Sequence, residues 1–368
     1  MISVPRASGS ERPVRRGRDG PSALIVNARF SSTLRALVCG CGSIGKRHIR
    51  NLRARNVRDI RAFDPDETVR TWVRDNLDVA VESDYEGALE KSPDVVFITS
   101  PTHLHARQAL LAARAGAHVF VEKPLAHTRE DVDDLLRVVA EKNLVTLGGC
   151  NFKFYPMVRK VKELVDDGAI GRIYSARIEA GQYLPYWRPT LDYRKNYGAR
   201  RAMGGGVILD FIHELDYTRW FFGPVREVVA LANRVGPLEI DTEDLAEILI
   251  WFQKGVLAEI HLDYLSQRYQ RNVRVMGATG NIEWDWHERT VRLYRPDLEQ
   301  PQVFPLPEGY DLNQMYLDEL DHFLESIEQR QATLYPFAAA AEVLDIALAS
   351  HASVETKQVI RLGSGGAG

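Results

Sequence analysis

Two hydrophobic patterns divide the chain. Up to about residue 150, short apolar runs alternate with stretches in which apolar positions recur at helical spacing. The runs predict strands and the stretches predict helices, and their alternation is typical of a parallel sheet covered by helices on both faces. The predicted strands are residues 34–38, 59–63, 94–99, 117–121 and 145–148, and the predicted helices are residues 46–53, 104–115 and 131–142.

Beyond residue 150, a helix around residues 157–167 leads into a region of longer strands. These are predicted at residues 172–181, 225–233, 244–251, 256–264, 272–277, 280–286 and 290–294. Strands in succession with few helices between them predict an antiparallel sheet. The chain is therefore expected to be α/β, with a doubly wound Rossmann sheet in residues 34–150 and an α/β domain with a large, mostly antiparallel sheet in residues 151–362. One face of that second sheet packs on helices of the same chain and the other can pack on a second copy of the chain. A homo-oligomer, either a dimer or a tetramer, is therefore expected.

Composition narrows the class of partner. The 368 residues, 45% of them hydrophobic, can bury more than one core, since domains run to about 100–200 residues. A net charge of −3 gives no general attraction to nucleic acid or an anionic membrane. A small molecule is the expected partner, because only the arginine-rich first residues offer the basic surface that a nucleic-acid binder needs.

The three cysteines, Cys39, Cys41 and Cys150, are too few for a disulfide framework and lack zinc-site spacing. A cytoplasmic protein without a metal is expected. No apolar run is seen to approach the roughly 18–20 residues of a membrane span. Residues 1–33 predict a disordered extension, with an organelle transit peptide as the alternative, and residues 363–368 predict a disordered tail.

A glycine-rich turn follows the first predicted strand. It has the spacing Gly-x-Gly-x-x-Gly, formed by Gly40, Gly42, Ser43, Ile44 and Gly45 around Cys41. The first glycine permits the turn, the second lets the backbone approach a diphosphate, and the third lets the helix pack on the strand. Free N–H groups at the helix start then face the phosphates. The spacing predicts a dinucleotide site, although glycine clusters also mark ordinary turns.

Asp64 ends the second predicted strand, about 20 residues after the glycine turn. A carboxylate at this position accepts hydrogen bonds from the adenosine ribose and repels a 2′-phosphate. NAD is therefore favoured over NADP, while Arg47 and Arg61 keep NADP open. The alternative is that Asp64 caps its own Asp-Pro-Asp turn.

Two later strand ends carry candidate residues, because open parallel sheets bind ligands beyond the carboxyl ends of their strands. Ser100 and Pro101 form either a wall beside the nicotinamide or a plain turn with a capping hydroxyl. Glu122 and Lys123 follow the next strand, where Lys123 can exchange a proton with a substrate oxygen. A lysine taken alone is more often a solvated surface residue, but the proline after it argues for a fixed backbone.

A glycine run at residues 204–206 leads into a stretch that we interpret as one helix reaching residue 222. Asp210, His213 and Asp216 then recur at intervals of three, which places them along one side. A histidine backed by carboxylates can relay a proton or hold a substrate hydroxyl. A buried structural histidine is the alternative.

With these motifs the sequence resembles the Gfo/Idh/MocA family of oxidoreductases over roughly residues 34–362. The resemblance rests on residues 40–45, 122–124, 204–216, 275–284, 316–320 and 353–356. It implies a Rossmann domain that binds NAD or NADP, a second domain with a large sheet, and an active site in the cleft between them. It also implies that Lys123 is the general acid/base and that His213 positions or protonates the substrate hydroxyl.

The sequence departs from the family pattern at one interval. The family's usual Asp-x-x-x-His is one residue shorter here, between Asp210 and His213. Since positions i+3 and i+4 share a helix face, His213 stays a candidate, while the catalytic role of Asp210 is put in question.

Candidate substrate contacts lie at Asn151, Trp187, Arg188 and Lys195, together with His213. Aromatic faces stack on sugar rings, and arginine or lysine grips a carboxylate or phosphate. The predicted activity is reversible oxidation of a secondary alcohol in a sugar, polyol or sugar nucleotide; some relatives instead use held NAD for net hydrolysis or internal redox. The alternatives are a solvated loop at residues 186–195 and, for the whole chain, a nucleotide-sensing regulatory or scaffold protein without turnover.

Overall fold

The structure, a computed structural model, describes residues 32–363. The expected disordered extension and tail lie outside the described residues, apart from residues 32, 33 and 363.

Within the described residues, six parallel strands form the first sheet, in the order β3-β2-β1-β4-β5-β6. Strand β1 pairs with β2 on one side and with β4 on the other, so the order of the strands reverses between β1 and β4. Open α/β sheets bind ligands at such a reversal, beyond the carboxyl ends of the strands. Every residue of β4 is buried, which explains its unbroken apolar run. The strands are β1 (Arg35–Cys39), β2 (Asp59–Phe63), β3 (Ala80–Glu82), β4 (Val95–Ile98), β5 (His118–Val121) and β6 (Thr146–Gly148).

The helices of this part are α1 (Ser43–Ala54), α2 (Glu67–Leu77), α3 (Tyr85–Glu90), α4 (His105–Arg114) and α5 (Val132–Glu141). The sequence pattern missed α2, α3 and strand β3. Both missed helices begin at an aspartate whose carboxylate accepts a hydrogen bond from the first turn: Asp66 from the N–H of Thr68, and Asp84 from that of Gly87.

The second sheet has nine strands within the described residues, in the order β14-β13-β12-β11-β7-β10-β9-β8-β15. Among these strands only β7 and β10 pair in parallel; the other neighbours are antiparallel, as predicted. The strands are β7 (Ile173–Gly181), β8 (Val225–Asn233), β9 (Leu245–Phe252), β10 (Leu257–Asp263), β11 (Gln270–Gly277), β12 (Gly280–Asp285), β13 (Thr290–Tyr294), β14 (Gln302–Pro305) and β15 (Ile360–Arg361). The predicted fold class is confirmed, although β14 and β15 were not predicted.

One face of this sheet is buried and the other is open. Along β9, Ile248 and Ile250 are fully buried while Leu249 and Trp251 are exposed. The remaining helices are α6 (Pro156–Asp166), α7 (Leu184–Trp187), α8 (Val207–Asp210), α9 (Ile212–Phe222), α10 (Gln314–Gln329) and α11 (Phe337–Thr356).

Helix α11 is long and apolar enough, by length and composition, to cross a membrane. This apolar stretch was not predicted from the sequence. In the fold, α11 packs on β8 and α9, and its Val343, Leu344 and Ala347 are fully buried. It therefore lies in the protein core, against the second sheet.

The end of the chain returns to the first sheet. The N–H of Gly148 at the end of β6 donates to the carbonyl of Tyr335 (2.9 Å), and Arg55, directly after α1, binds Asp321 on α10 (2.5 and 2.8 Å). These contacts join residues that the sequence analysis assigned to different domains. The boundaries at residues 150 and 362 stay predictions.

Candidate active site

The glycine-rich turn closes because two of its positions leave no room for a side chain. Gly40 has a φ of +93°, and a Cβ there would lie 2.6 Å from the backbone nitrogen of Ser100. A Cβ on Gly45 would collide with the carbonyl oxygen of Gly40. That oxygen accepts a hydrogen bond from the hydroxyl of Thr99 (2.5 Å), so β1, β4 and the start of α1 meet closely.

Gly42 has the opposite surroundings. A Cβ there would meet nothing within 4 Å, so the backbone opens onto the cleft. Gly42 is also the N-cap of α1, which has no side-chain cap and no acidic residue in its first turn. Uncapped N–H groups and the positive end of the helix dipole suit a diphosphate. The turn therefore fits the dinucleotide that its spacing predicts.

Asp64 combines the two interpretations made from sequence. Its Oδ1 accepts from the N–H of Asp66 (3.0 Å), as a turn cap, and its Oδ2 accepts from the N–H of Cys41 (2.8 Å) in the glycine turn. It also lines the cleft, where a ribose would bind. Of the two arginines that kept NADP open, Arg61 binds Glu82 (3.0 Å) and Arg47 lies over the ring of Tyr316.

A cleft of about 750 Å³ joins the glycine turn to the second part of the chain. Most of the predicted site residues line it; Gly45 and Asp210 are the exceptions, the first packed inside the turn and the second behind Lys123. The predicted residues in its wall are Gly40, Gly42, Ser43, Ile44, Asp64, Ser100, Pro101, Glu122, Lys123, Asn151, Trp187, Arg188, Lys195 and His213.

Lys123 lines the cleft and binds Asp210, which lies behind it. Its Nζ donates to Oδ1 of Asp210 (2.8 Å) and to the main-chain oxygen of the same residue (2.6 Å). Burial, the largest single influence, lowers the pKa of Lys123. The charge and hydrogen bond of Asp210, together with the nearby Tyr197 and Glu122, outweigh burial and raise that pKa above its ordinary value. Lys123 is therefore an ammonium ion at neutral pH.

Asp210 is held in place from behind. The hydroxyl of Tyr197 donates to its Oδ1 (2.8 Å) and that of Tyr264 donates to its Oδ2 (3.0 Å). Burial and the nearby carboxylate both raise the pKa of Tyr197, which keeps its phenol protonated as a donor. Asp210 thus fixes and charges Lys123 without lining the cleft itself.

The prediction of one continuous helix through residues 204–222 is wrong. The chain forms the short helix α8, breaks at Phe211 (φ −93°, ψ 32°) and restarts as α9 at Ile212. Tyr197, Tyr264 and Lys123 hold the Asp210 carboxylate, whereas Asp216 lies in α9 and binds the buried Lys153. The three polar residues therefore do not share one side of a helix.

His213 begins α9 and is 9% exposed. Its Nδ1 lies 3.7 Å from the sulfur of Cys150, and its Nε2 has no hydrogen-bond partner among residues 32–363. Burial lowers the pKa of His213 well below 6.5, and the positive charges of Lys123, Arg271 and Lys153 lower it further. A neutral imidazole with a free nitrogen thus lies in the same cleft as the Lys123 cation.

Histidines that the sequence analysis did not single out hold the neighbouring strand ends. His48 on α1 contacts the partly buried carboxylate of Glu122 (2.8 Å), which also accepts from the N–H of Lys123 (3.2 Å). The two ring nitrogens of His105 lie 2.8 Å from the carbonyl oxygens of Ser100 and Pro124. His105 thereby links the two strand ends that were chosen as candidates.

Tyr197 and Tyr264 were also missed as site residues, and Tyr316, named only within the motif at residues 316–320, lines the cleft as well. Tyr264 directly follows β10, so a search for polar groups at the ends of strands in the second sheet would have found it. Tyr197 lies in the loop before the glycine run, and no local pattern distinguishes it from Tyr186 or Tyr193.

Family models match both parts of the chain. Residues 34–149 match the model described as the oxidoreductase family with an NAD-binding Rossmann fold, and residues 158–283 match that of the GFO/IDH/MocA C-terminal domain. Relatives match across most of their lengths. An uncharacterized oxidoreductase, YrbE, of Bacillus subtilis is 30% identical over 315 residues, which cover 80% of this chain and 87% of that protein.

The myo-inositol 2-dehydrogenase of Thermotoga maritima is 28% identical over 341 residues, covering 89% of this chain and 98% of that protein. Among solved structures, levoglucosan dehydrogenase in complex with NADH and levoglucosan superposes with a TM-score of 0.80 at 21% identity. The match covers 90% of this chain and 100% of that one, and it establishes the fold.

Proposed function

Because the chain belongs to the Gfo/Idh/MocA family of oxidoreductases, we propose that it moves a hydride between NAD and a secondary alcohol or ketone of a sugar-like or polyol substrate. The protein is an NAD-dependent oxidoreductase. The carbohydrate class of the substrate is supported by relatives named for myo-inositol and levoglucosan. NAD bound along the glycine turn supplies the hydride acceptor at its nicotinamide ring.

One observation carries the proposal: an ammonium ion and a neutral imidazole line the same cleft as the glycine turn. In alcohol oxidation the substrate carbon loses a hydride and the hydroxyl loses a proton. From the sequence alone, Lys123 was predicted to accept this proton. The charges of the two side chains favour different roles: neutral His213 accepts the proton at Nε2, and cationic Lys123 donates a hydrogen bond to the substrate oxygen.

In the reverse direction, the reduction of a ketone, His213 donates the proton and Lys123 keeps its role. The developing alkoxide takes a proton from the imidazolium of His213 while the Lys123 ammonium stabilises its charge. Asp210 keeps that ammonium charged and aimed, and Tyr197 and Tyr264 keep Asp210 in position. Asn151, Trp187, Arg188 and Lys195 are proposed to hold the rest of the substrate, and Ser100, Pro101 and Glu122 the nicotinamide end of the cofactor.

The test is a nucleotide titration followed by a substrate screen. NAD(H) and NADP(H) are titrated into the protein while the fluorescence of its six tryptophans is followed, and sugars and polyols are then screened for NADH formation. Lys123→Ala should lower turnover by about 10²–10³-fold, because a charged hydrogen-bond donor to the substrate oxygen is lost, while NADH binding persists. Absence of binding to either nucleotide would reject the function. Nucleotide binding without turnover of any carbohydrate would favour the nucleotide-sensing alternative.

We propose further that the protein is a homo-oligomer joined through the open face of its second sheet. Apolar residues Leu231, Leu249, Trp251 and Leu257 lie on that face, each more than a third exposed. Leu257 and Trp251 are direct partners across β10 and β9, so part of the apolar surface is continuous. The double variant Leu249→Arg/Trp251→Glu should shift light-scattering mass to the monomer, whereas Leu298→Arg, in an exposed turn, should not.

We also propose a cytoplasmic location. The three cysteines of the chain are free and buried, which suits a reducing compartment. Fractionation with an antibody against the full chain tests this, and recovery in a membrane or secreted fraction would contradict it.

A further inference from the structure

We propose that the substrate carries an anionic group, a carboxylate or a phosphate, and that Arg188 and Lys195 bind it at the substrate end of the cleft. This inference rests on the proposed function and narrows its substrate class. A carboxylate and a phosphate share the same chemistry, a group of negatively charged oxygens, here attached to a sugar ring that carries hydroxyls.

The first observation is that these two cations have no protein partner. Both side chains line the cleft, and neither forms an ion pair or a side-chain hydrogen bond with any residue in the range 32–363. Another cation in the same loop differs: Arg194 binds Asp192 (2.8 Å) and Glu239 (3.3 Å) and does not line the cleft. All three cations are exposed to solvent; the loop pairs Arg194 with carboxylates and leaves Arg188 and Lys195 beside the cavity.

The second observation is the charge balance at this end of the cleft. The charge of Asp210 is offset by Lys123, which it holds at 2.8 Å. The guanidinium of Arg188 is near enough to Tyr197, a hydrogen-bond donor to Asp210, to offset a small part of the rise in the pKa of its phenol. Glu122 adds a second carboxylate beside Lys123. Even so, the positive charges at this end exceed the negative ones once both Arg188 and Lys195 are counted. At the opposite end, the carboxylate of Asp64 lines the wall where the adenosine ribose is expected.

The third observation is a buried polar group that faces the cavity without a partner. Asn151 is 5% exposed and lines the cleft, yet its side-chain amide has no hydrogen bond to any described residue. Because this amide opens onto the cleft, a molecule bound there can both donate hydrogen bonds to it and accept hydrogen bonds from it. The ring of Trp187 lies in the same wall, edge-on to Phe211 and Tyr264, and is fixed by a hydrogen bond from its Nε1 to the carbonyl of Gln182.

These groups together suit one kind of molecule. A planar guanidinium binds a carboxylate or phosphate through two parallel hydrogen bonds, and Lys195 adds a second positive charge. An amide and the free Nε2 of His213 supply hydrogen bonds for hydroxyls. A neutral polyol would use the amide and the imidazole but would leave both cations unpaired.

Matched pairs of sugars test the inference directly. The probes are D-glucuronate against D-glucuronamide, D-galacturonate against D-galacturonamide, and glucose 6-phosphate against glucose. In each pair the anion is removed while the ring is kept. Binding to the protein loaded with NADH is followed by tryptophan fluorescence, and turnover by NADH formation from NAD. Arg188→Met and Lys195→Met are compared with Arg194→Met as the matched control.

In at least one pair the anion is expected to bind about 10-fold or more tightly than its neutral partner, because a hydrogen bond to a charged group gives a factor of this size. Arg188→Met and Lys195→Met should each remove that preference, Arg194→Met should keep it, and rising NaCl should weaken binding of the anion only. The sugar acids and the phosphate distinguish the two sources of anionic oxygen.

Equal or weaker binding of the anion in every pair would overturn the inference, while turnover of the neutral partner would leave the proposed function intact. A loss of NADH affinity in Arg188→Met, with an unchanged anion preference, would also overturn the inference, since the cation would then serve the cofactor. Anion binding without turnover of any carbohydrate would count against the proposed function instead.

Discussion

The side-chain nitrogen of Lys123 lies 2.8 Å from Oδ1 of Asp210, although the two residues are 87 positions apart in the chain. The same nitrogen reaches the main-chain oxygen of Asp210 at 2.6 Å. The shortened Asp-to-His interval had put the catalytic role of Asp210 in question. In the fold, Asp210 is close enough to control the charge of Lys123 without touching the cleft.

Asp210→Asn should lower the pKa of Lys123, because the attraction to the carboxylate is lost while burial remains. If Lys123 acts as a cation, the alkaline loss of alcohol oxidation should move to lower pH in this variant. The measurement is kcat/KM against pH for wild type and variant. Tyr264→Phe, which removes a hydrogen bond to Asp210 but no charge, should leave the alkaline limb in place. If Asp210→Asn instead gained kcat/KM at lower pH, Lys123 would be identified as the proton acceptor.

His213→Asn should lower kcat by about 10²–10⁴-fold and leave the Kd of NADH unchanged, since a general base is lost and the glycine turn is untouched. Stopped-flow kinetics and fluorescence titration check the two quantities separately. An equal weakening of NADH binding would assign His213 to the cofactor and contradict its role with the substrate.

The depressed pKa of His213 also predicts a pH dependence of stability. Below pH 6.5 the His213 side chain binds a proton in the unfolded chain, whereas in the folded protein it stays neutral. The free energy of unfolding should therefore fall as the pH drops from 6.5 toward the pKa of His213 in the folded protein. Urea unfolding at pH 7.5 and 5.5 measures this. His213→Phe should lose less stability across this range than wild type, and an equal loss in both would contradict the neutral imidazole.

Asp216→Ala should destabilise the protein by about 3–5 kcal/mol, because it leaves the buried ammonium of Lys153 without a counter-charge. The double variant Lys153→Met/Asp216→Leu should recover much of that loss, since two apolar side chains replace the pair. Urea unfolding of the single and double variants checks this. A double variant no more stable than Asp216→Ala would contradict the explanation.

Asp64→Ala should weaken NADH binding by about 10-fold, because it removes the ribose acceptor and the hydrogen bond to Cys41 in the glycine turn. Asp66→Ala is the matched control. This variant removes the N-cap of α2, but Asp66 does not line the cleft, so the affinity for NADH should stay unchanged. Equal effects of the two variants on affinity would mean that Asp64 acts only through the turn.

Local patterns predicted most strands of both sheets. The strands predicted at residues 59–63, 225–233 and 290–294 have the bounds found in the structure, because side-chain alternation and apolar runs depend on near neighbours. The missed elements are the short strands β3, β14 and β15 and the helices α2, α3, α7, α10 and α11. The three strands have only two to four residues each, and their positions depend on partners such as β2, β13 and β8.

The break at Phe211 shows the limit of spacing rules. Helical periodicity alone continues from the glycine run to residue 222, and it placed Asp210 and His213 on one face. In the fold, Asp210 is bound by Lys123, Tyr197 and Tyr264, which come from three other parts of the chain. Such distant contacts override local propensity.

The sequence by itself determined the glycine turn, the carboxylate after the second strand and the lysine at a strand end, because each is fixed by short-range sterics and by strand-end geometry. Tertiary structure alone decided the protonation states: Lys123 charged by Asp210, and His213 neutral among three cations. It also decided that Arg188 and Lys195 face the cleft without partners while Arg194 is paired. A pKa and a charge balance depend on burial and on groups brought together by folding, which no local spacing records.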